Sequence, residues 1–326
     1  MNQHNPYLSV ILPVYNEADN LNALHRSLCR ELQAVGCSYE IIYCDDGSDD
    51  GSTGVLKELA RSDPNVRILI LRRNYGQTAA ISAGVDHARG EIMILLDADL
   101  QNDPADIPRL LQKIDEGYDI VSGWRRRRSD PWISKKLPSR IANKFISWIT
   151  GVPIHDQGCT LKAYRSEIMH DISLYGEMHR FISILGYWNG AKVAEVEVRH
   201  HPRQSGKSKY SLIRIFKVLL DIPLLVLLGN YITRPMHFFG IAGIGFHFAA
   251  VLCALRVAKD MWEGEQASEN GFLILSVFFF LVGVMTFMMG LLAELTIRVY
   301  HESQQKKTYL IRESINPAPP RTDQNE

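Results

Sequence analysis

The chain has 326 residues, of which 46% are hydrophobic and 22% charged, and its 36 basic side chains balance its 36 acidic ones. This length predicts one catalytic domain with an appendage, and zero net charge argues neither for nor against binding to nucleic acid. Five cysteines without a CxxC pair or metal-ligand spacing argue against a disulfide framework and fit a reducing compartment. Residues 1–7 are polar and carry no signal peptide, so we expect the N-terminal domain to stay in the cytoplasm.

Short β-rich runs alternate with helical stretches over the first two hundred residues. This alternation predicts an α/β fold with a mostly parallel, doubly wound sheet. The predicted strands are residues 8–13, 40–44, 66–71, 92–96, 118–122 and 193–198, and the predicted helices between the first four are 18–32, 51–61 and 78–87.

Polar side chains follow each of the first four predicted strands. Ligands of doubly wound folds gather at the carboxyl ends of the strands, so these residues are candidates for a binding site. No strand is followed by a GxGxxG motif or a P-loop, which disfavours a Rossmann dehydrogenase and a P-loop NTPase. The segments at the four strand ends are Tyr15-Asn16-Glu17, Asp45-Asp46-Gly47-Ser48-Asp49, Arg72-Arg73-Asn74 and Asp97-Ala98-Asp99.

Two carboxylates, Asp97 and Asp99, follow the fourth predicted strand. Their burial without a counter-charge would be costly, and oxygen ligands suit Mg²⁺ or Mn²⁺. A divalent cation there could bridge the two phosphates of a nucleotide diphosphate and stabilise the charge of the departing group. An isolated D-x-D pattern also fits a strand-end aspartate that caps a helix, but the acidic second strand end beside it favours the metal site.

Two uninterrupted apolar stretches, residues 236–255 and 271–293, dominate the C-terminal third. Neither contains Asp, Glu, Lys or Arg, and each is long enough to cross a hydrocarbon core of about 30 Å. The alternative is a buried helix of a soluble protein. The connecting loop is acidic and the outer flanks are basic, so the positive-inside rule predicts that both ends lie in the cytoplasm.

Residues 211–233 are apolar but interrupted by charged side chains and Pro223, which predicts amphipathic helices in the cytoplasmic interface. A third membrane crossing in this segment is the alternative. The polar residues after the second span predict a flexible tail. The expected organisation is a catalytic domain over 1–210, interfacial helices over 211–233, a two-helix transmembrane anchor over 234–298 and a flexible cytoplasmic tail over 299–326.

The strand-end segments extend into longer motifs, which are Val10-Ile-Leu-Pro-Val-Tyr-Asn-Glu17, Asp45-Asp-Gly-Ser-Asp-Asp50, Asn74-Tyr-Gly76 and Asp97-Ala-Asp-Leu-Gln101. In this order and spacing they resemble family 2 glycosyltransferases of the GT-A fold. Residues 123–125, 139–143, 156–159 and 203–210 resemble the polyprenyl-phosphate branch of that family. The branch includes dolichyl-phosphate mannose synthases, bacterial undecaprenyl-phosphate glucosyltransferases and the transferases that load aminoarabinose for lipid A modification. The resemblance covers about residues 8–215.

The resemblance implies a donor pocket for a nucleotide-sugar and a site for its metal ion. In this reading Asp97 supports the nucleotide-sugar, and Asp99 with Gln101 holds Mg²⁺ or Mn²⁺. The residues implied to line the base and ribose pocket are Pro13, Tyr15, Glu17 and Asp46, with Asn74 shaping the donor pocket. The residues implied to hold the donor diphosphate and the acceptor phosphate are Arg125, Arg140, Arg203 and Lys209.

Asp156 matches a family carboxylate near the reacting centre, which makes it a catalytic candidate. A phosphate monoester has a second pKa of about 6 and is largely dianionic at neutral pH, so its oxygen needs no base to act as a nucleophile. Three interpretations stay open: a general base, a group that orients an arginine or contacts the sugar, and a loop carboxylate that caps the next helix. Thr160-Leu161-Lys162 stands where many relatives have an aromatic residue and an arginine, so we expect a different phosphate contact there. The histidines that we give no catalytic role are His155, His179, His200 and His201.

The sequence therefore predicts an inverting glycosyltransferase of the hexosyltransferase class. It would move a sugar from a nucleotide-diphosphate sugar, a uridine-diphosphate sugar by resemblance, to polyprenyl phosphate at the cytoplasmic membrane. We expect no nucleic-acid partner, and related bacterial enzymes imply a homo-oligomer. One alternative is a membrane-associated polysaccharide synthase, which the absence of a Gln-x-x-Arg-Trp motif disfavours. The other is an inactive nucleotide-sugar-binding membrane protein, which the intact Asp97, Asp99 and Gln101 disfavour.

Overall fold

Strands and helices alternate through the first two hundred residues of the computed structural model, and two long helices follow. The described residues are 5–126, 143–144, 146–148, 150–172, 174, 178–202, 235–263, 270–303 and 308–316. The strands are β1 (Leu8–Val14), β2 (Tyr39–Asp45), β3 (Val66–Leu71), β4 (Ile92–Leu95), β5 (Ile120–Trp124), β6 (Lys162–Arg165), β7 (Val193–Glu197) and β8 (Ile311–Ile315). The helices are α1 (Ala18–Val35), α2 (Ser52–Ser62), α3 (Gln77–His87), α4 (Ile107–Asp115), α5 (Ser166–His170), α6 (Ile182–Trp188), α7 (Pro235–Trp262) and α8 (Gly271–Ser303), with 3-10 turns at Pro104–Asp106 and Met178–Arg180.

One mixed sheet carries the fold, in the strand order β7-β5-β6-β4-β1-β2-β3-β8. β1 pairs in parallel with β2 and β4, β2 with β3, and β5 with β7. β6 runs antiparallel between β4 and β5, and β8 runs antiparallel to β3. The predicted doubly wound, mostly parallel α/β sheet is confirmed. β6 and β8 were not predicted.

Helix α1 shows how the apolar pattern of the sequence forms the core. Leu21, Leu24, Leu28 and Leu32 recur at helical spacing, and all four are fully buried. The helix ends at Gly36, which adopts a left-handed φ of 75° and donates its N–H to the Leu32 carbonyl. This leucine face packs in the main hydrophobic cluster with residues of β1 and β2, and it thereby holds the ends of these strands in place.

The register of the central strands brings the predicted site segments to one edge of the sheet. Val14 of β1 pairs with Asp45 of β2, and Ile11 of β1 pairs with Leu95 of β4. Because these strands are parallel, their carboxyl ends meet at the same edge. The residues that follow β1, β2 and β4 therefore lie side by side, as the strand-end argument predicts.

Helices α7 and α8 contain two candidate membrane spans, Phe239–Trp262 and Gly271–Ala293, with hydropathy 1.9 and 2.6. Only 17% and 6% of their most apolar windows are buried, whereas a core helix of a soluble protein would be mostly buried. The two helices pack on each other closely, since a Cβ added at Gly283 would lie 2.4 Å from His247 Nδ1. His247 bonds within its own helix, with Nδ1 2.8 Å from the Gly243 carbonyl oxygen.

The flexible tail predicted from residue 299 is wrong for the part of it that the structure describes. Helix α8 continues to Ser303, and β8 then extends the sheet beside β3. The Tyr309 hydroxyl donates to Asp86 Oδ2 at 2.7 Å, and Asn316 Nδ2 donates to the Val66 carbonyl at 2.9 Å. Without β8, β3 would be the edge strand of the sheet and would leave backbone N–H and C=O groups unpaired. Pairing with the tail satisfies these groups, and every residue of β3 is buried.

The chain divides into two compact units. The first consists of Met1–Ser211 together with Lys307–Glu326 and contains the sheet, and the second is Leu212–Lys306 and contains α7 and α8. The interfacial helices predicted over 211–233 lie outside the described residues.

Candidate active site

The acidic segment after β2 holds the turn that follows β1. Asn16 has a left-handed φ of 58°, its N–H donates to Ser48 Oγ at 3.0 Å, and its Nδ2 donates to Asp49 Oδ1 at 2.7 Å. The Ala18 N–H donates to Asp50 Oδ2 at 3.0 Å at the start of α1. Asp49 and Asp50 are therefore structural partners of this turn. The partly buried residues that it positions are Pro13, Tyr15 and Glu17.

Asp46 holds the loop that follows β3. It is 3% exposed, and its carboxylate accepts the N–H groups of Tyr75 and Gly76 at 2.7 and 2.9 Å. Burial raises the pKa of Asp46, and these two N–H groups oppose the rise. Gly47 allows the close approach of the two loops, because its φ is 71° and a Cβ there would lie 2.6 Å from the carbonyl carbon of Arg73.

The residue that follows this loop contacts the segment after β4. Gln77, the first residue of α3, donates from Nε2 to Asp97 Oδ1 at 2.8 Å. Asn74 is exposed on the loop between the Asp46 and Asp97 carboxylates. The second and fourth strand ends are thus joined through one loop, which brings together the predicted residues of the donor pocket.

Asp99 and Gln101 meet in a tight turn. Leu100 between them adopts a left-handed φ of 61°, and the Gln101 N–H donates to Asp99 Oδ1 at 3.1 Å. Both residues are partly buried and offer oxygen atoms, the donor set that suits a hard divalent cation. The Gln101 carbonyl accepts the N–H of His201 at 2.8 Å, which ties residues 200–202 to this turn.

Arg125 and Asp156 form a two-pronged ion pair with little solvent exposure. Arg125 Nε lies 2.7 Å from Asp156 Oδ2, and Nη2 lies 2.9 Å from Oδ1. The N–H of Arg125 also donates to Oδ2 at 3.2 Å. Glu195 Oε1 accepts the N–H groups of His155 and Asp156 at 2.8 and 3.2 Å, which fixes the turn that carries the pair. Both oxygens of Asp156 therefore contact the guanidinium.

A small pocket at the strand ends brings a carboxylate and an amine together. Lys162, the first residue of β6, is 2% exposed, and its Nζ lies 3.4 Å from the Gln157 carbonyl oxygen. Burial lowers the pKa of Lys162 to about 8, so an anion in this pocket would stabilise its charged form. The pocket is lined by Pro13, Ile81, Leu95, Leu96, Asp97, Cys159, Thr160, Lys162, Tyr164 and His179.

Replacing Lys162 with methionine should remove a pH-dependent component of stability. The folded pKa of about 8 lies below the ordinary 10.5, so between these values the unfolded chain binds more protons. The free energy of unfolding of the ligand-free wild type should therefore rise across this window, and the Lys162→Met variant should lack that component. Chemical unfolding of the full chain at several pH values measures the difference, with Lys192→Met as an exposed control. Equal pH dependence in wild type and Lys162→Met would contradict the prediction.

Three residues of this region were not predicted as site residues. Lys162 was noted only for its departure from the family pattern, and His179, whose Nδ1 lies 2.6 Å from Thr78 Oγ1, was given no catalytic role. The Gln157 carboxamide is buried, and neither of its polar atoms has a hydrogen-bond partner among the described residues. The motif around Asp156 was the one signal for Gln157. The predicted phosphate-binding residues that lie outside the described part of the chain are Arg140, Arg203 and Lys209.

The family profile described as Glycosyl transferase family 2 matches residues 9–173, which hold the carboxylate strand ends and the Arg125–Asp156 pair. The chain belongs to glycosyltransferase family 2. It is therefore a glycosyltransferase, and the resemblance stated from the motifs is confirmed.

Curated relatives match this transferase over nearly its whole length. It is 37% identical over 311 residues to the dodecaprenyl-phosphate galacturonate synthase of Rhizobium johnstonii, covering 94% of this chain and 92% of the relative. It is 39% identical over 311 residues to the undecaprenyl-phosphate 4-deoxy-4-formamido-L-arabinose transferase of Klebsiella pneumoniae, covering 94% and 93%. Both names describe the loading of a sugar onto a polyprenyl phosphate, so the likeness to the polyprenyl-phosphate branch is confirmed.

Solved structures confirm the GT-A fold of the transferase. The glucosyl-3-phosphoglycerate synthase of Mycobacterium tuberculosis, solved with Mn²⁺, uridine diphosphate and glucosyl-3-phosphoglycerate, superposes with a TM-score of 0.51 at 18% identity. The match covers 68% of this chain and 79% of the solved one. A likeness at this identity speaks for the fold alone.

Proposed function

We propose that this transferase moves a sugar, with inversion, from a nucleotide-diphosphate sugar to a polyprenyl phosphate at the cytoplasmic face of the membrane. The observation that carries the proposal is the pocket that Asp97 and the buried Lys162 line together. A carboxylate suits the hydroxyl groups of a sugar or ribose, and a buried amine suits a phosphate. The two relatives named for polyprenyl-phosphate transfer support the acceptor.

The donor pocket is proposed at the edge where β1, β2 and β4 end. The base and ribose would lie against Pro13, Tyr15, Glu17 and Asp46, and Asn74 would shape the pocket. Asp46 contributes by fixing the loop after β3 through two backbone N–H groups. A uridine-diphosphate sugar is the first candidate donor, because the resemblance to bacterial polyprenyl-phosphate transferases implies one.

Asp99 and Gln101 are proposed to hold Mg²⁺ or Mn²⁺. Their oxygen atoms fit such an ion, and the turn at Leu100 brings them together. When bound, a divalent cation would neutralise charge on the diphosphate and thereby ease its departure. The solved mycobacterial synthase of the same fold was obtained with Mn²⁺, which supports a divalent cation in general and not these two ligands in particular.

The acceptor phosphate is proposed to react without a general base. Its dianionic oxygen forms the new bond to the anomeric carbon from the opposite face, and the bond to the donor diphosphate breaks as that group leaves with the electron pair. No proton has to be removed from the acceptor. Asp156 would then orient Arg125 towards phosphate, which the two-pronged ion pair supports. The further cations proposed for phosphate are Lys162, Arg140, Arg203 and Lys209.

We propose that the two apolar helices anchor the transferase in the cytoplasmic (inner) membrane, with both ends of the anchor in the cytoplasm. β8 belongs to the same sheet as β1–β7, which supports placing the chain beyond α8 on the same side of the membrane as the sheet. This placement favours an even number of crossings, which two spans would provide and three would not. The homo-oligomer implied by bacterial relatives stays a prediction.

A transfer assay with the full chain tests the proposed function. Purified transferase receives polyprenyl phosphate, Mn²⁺ and a panel of radiolabelled nucleotide-sugars, and we expect label in an organic-extractable lipid together with released nucleotide diphosphate. Chelation by EDTA should abolish both. Long polymer among the products would instead identify a polysaccharide synthase. Nucleotide-sugar binding without any release of nucleotide diphosphate, over the whole panel, would contradict the proposal.

A further inference from the structure

Three side chains with metal-binding atoms converge where α1 passes the end of α2, on elements that take no part in the donor site. His25 and Cys29 lie one turn apart on α1, and Asp63 is the residue that follows α2. His25 Nε2 lies 3.5 Å from Cys29 Sγ and 3.7 Å from Asp63 Oδ2. Cys29 Sγ lies 3.5 Å from the same Oδ2. The three atoms thus form a nearly equilateral triangle.

The size of this triangle matches one face of a zinc tetrahedron. Zinc binds histidine nitrogen at about 2.0–2.1 Å, cysteine sulfur at about 2.3 Å and carboxylate oxygen at about 2.0–2.2 Å. At the tetrahedral angle these lengths place pairs of ligand atoms about 3.4–3.6 Å apart. The observed separations of 3.5, 3.7 and 3.5 Å agree with these values. We propose that His25, Cys29 and Asp63 bind Zn²⁺ and leave its fourth position to water.

Two neighbouring groups orient the ligands towards the centre of the triangle. His25 Nδ1 lies 3.3 Å from the buried Tyr43 hydroxyl, so a proton on Nδ1 leaves Nε2 as the metal-binding atom. Asp63 Oδ1 accepts the N–H of Asn65 at 2.8 Å, which turns Oδ2 towards His25 and Cys29. Partners of this kind hold zinc ligands in the binding orientation and are typical of zinc sites.

The mixed donor set separates this site from the proposed donor metal. Nitrogen and sulfur ligands favour Zn²⁺ and similar ions, whereas the oxygen ligands Asp99 and Gln101 favour Mg²⁺ and Mn²⁺. The sequence did not reveal the site because Asp63 lies 34 residues from Cys29, outside any short ligand motif.

A bound ion would tie α1 to the end of α2 and so stabilise the folded catalytic unit. An ion that binds only the folded state raises its stability as the ion concentration exceeds the dissociation constant. Zinc should therefore raise the unfolding temperature of the wild-type transferase. The rise should be lost when either Cys29 or His25 is replaced, by Cys29→Ser or His25→Asn.

Cobalt spectroscopy of the full chain in detergent, under reducing conditions, tests the proposal directly. Co²⁺ bound by a thiolate gives a charge-transfer band in the near ultraviolet, and an all-oxygen site gives none. We expect this band in the wild type at one ion per chain, its displacement by Zn²⁺, and its loss in Cys29→Ser. Cys37→Ser, which removes another partly buried thiol just beyond α1, is the matched control and should keep the band. Asp99→Asn should also keep it.

The possible outcomes separate this site from the catalytic one. A wild type that transfers sugar but shows neither the thiolate band nor a zinc-dependent rise in unfolding temperature would overturn the zinc site and leave the proposed function intact. A band that survives in Cys29→Ser would also overturn it. Should Cys29→Ser fail to fold by circular dichroism, His25→Asn takes its place, and an unchanged zinc response in that variant would contradict the proposal.

Discussion

Replacing Asp99 with asparagine is expected to lower sugar transfer on the order of 10³-fold, while the unfolding temperature of the metal-free protein should stay close to that of the wild type. A metal ion supplies several kcal/mol of charge stabilisation in the transition state, and a loss of about 4 kcal/mol corresponds to this factor. Asparagine keeps the Oδ1 that accepts the Gln101 N–H, so the turn at Leu100 is preserved. The carboxylate charge is what the substitution removes.

Initial rates of lipid-linked sugar formation, measured as a function of Mn²⁺ concentration, check this prediction. The variant should need more Mn²⁺ for half-maximal rate and should not reach the wild-type maximum. Asp115→Asn makes the same replacement at an exposed aspartate of α4 and serves as the control, which should transfer sugar at the wild-type rate. Equal transfer by wild type and Asp99→Asn, or transfer that resists EDTA, would refute the assignment of the metal to Asp99.

Breaking the Arg125–Asp156 pair is expected to have the second large effect. Removal of one partner of a buried ion pair leaves an uncompensated charge and costs about 3–5 kcal/mol. Asp156→Asn and Arg125→Gln should each lower the unfolding temperature and reduce transfer by about 10²-fold or more. The double variant should lose less stability than the sum of the single variants, because no stranded charge remains. Chemical unfolding and transfer rates of all four proteins complete the cycle.

The same cycle distinguishes an arginine-orienting Asp156 from a general base. For the orienting role, Arg125→Gln should be as impaired as Asp156→Asn, and the pH profile of kcat should keep its shape in both. A general base would produce an acidic limb in the wild-type profile that disappears in Asp156→Asn. If, in addition, Arg125→Gln transferred sugar at nearly the wild-type rate, Asp156 would act on the substrate itself and the proposed mechanism would be wrong.

The sequence by itself determined the features whose signals lie close together in the chain. Alternating apolar runs predicted β1–β5 and β7, and the leucines of α1 mark a buried helical face because their spacing matches the helical period. Asp97 and Asp99 were recognisable as candidate site residues because two carboxylates follow a buried strand. The two candidate spans were recognisable because a helix needs about twenty apolar residues in one run to cross a membrane.

The tertiary structure alone decided which distant residues meet. β8 comes from the far end of the chain and pairs with β3. The unpaired backbone groups of an edge strand can bond to any strand that reaches them, so the sequence does not specify which one does. Lys162 lines the pocket with Asp97 because antiparallel β6 runs beside β4, a pairing that no local periodicity encodes. Arg125 meets Asp156 across 31 residues, and Cys29 meets Asp63 across 34. Such contacts depend on chain folding in three dimensions, so residue spacing could identify Asp97 and Asp99 as candidate site residues but not the groups that surround them.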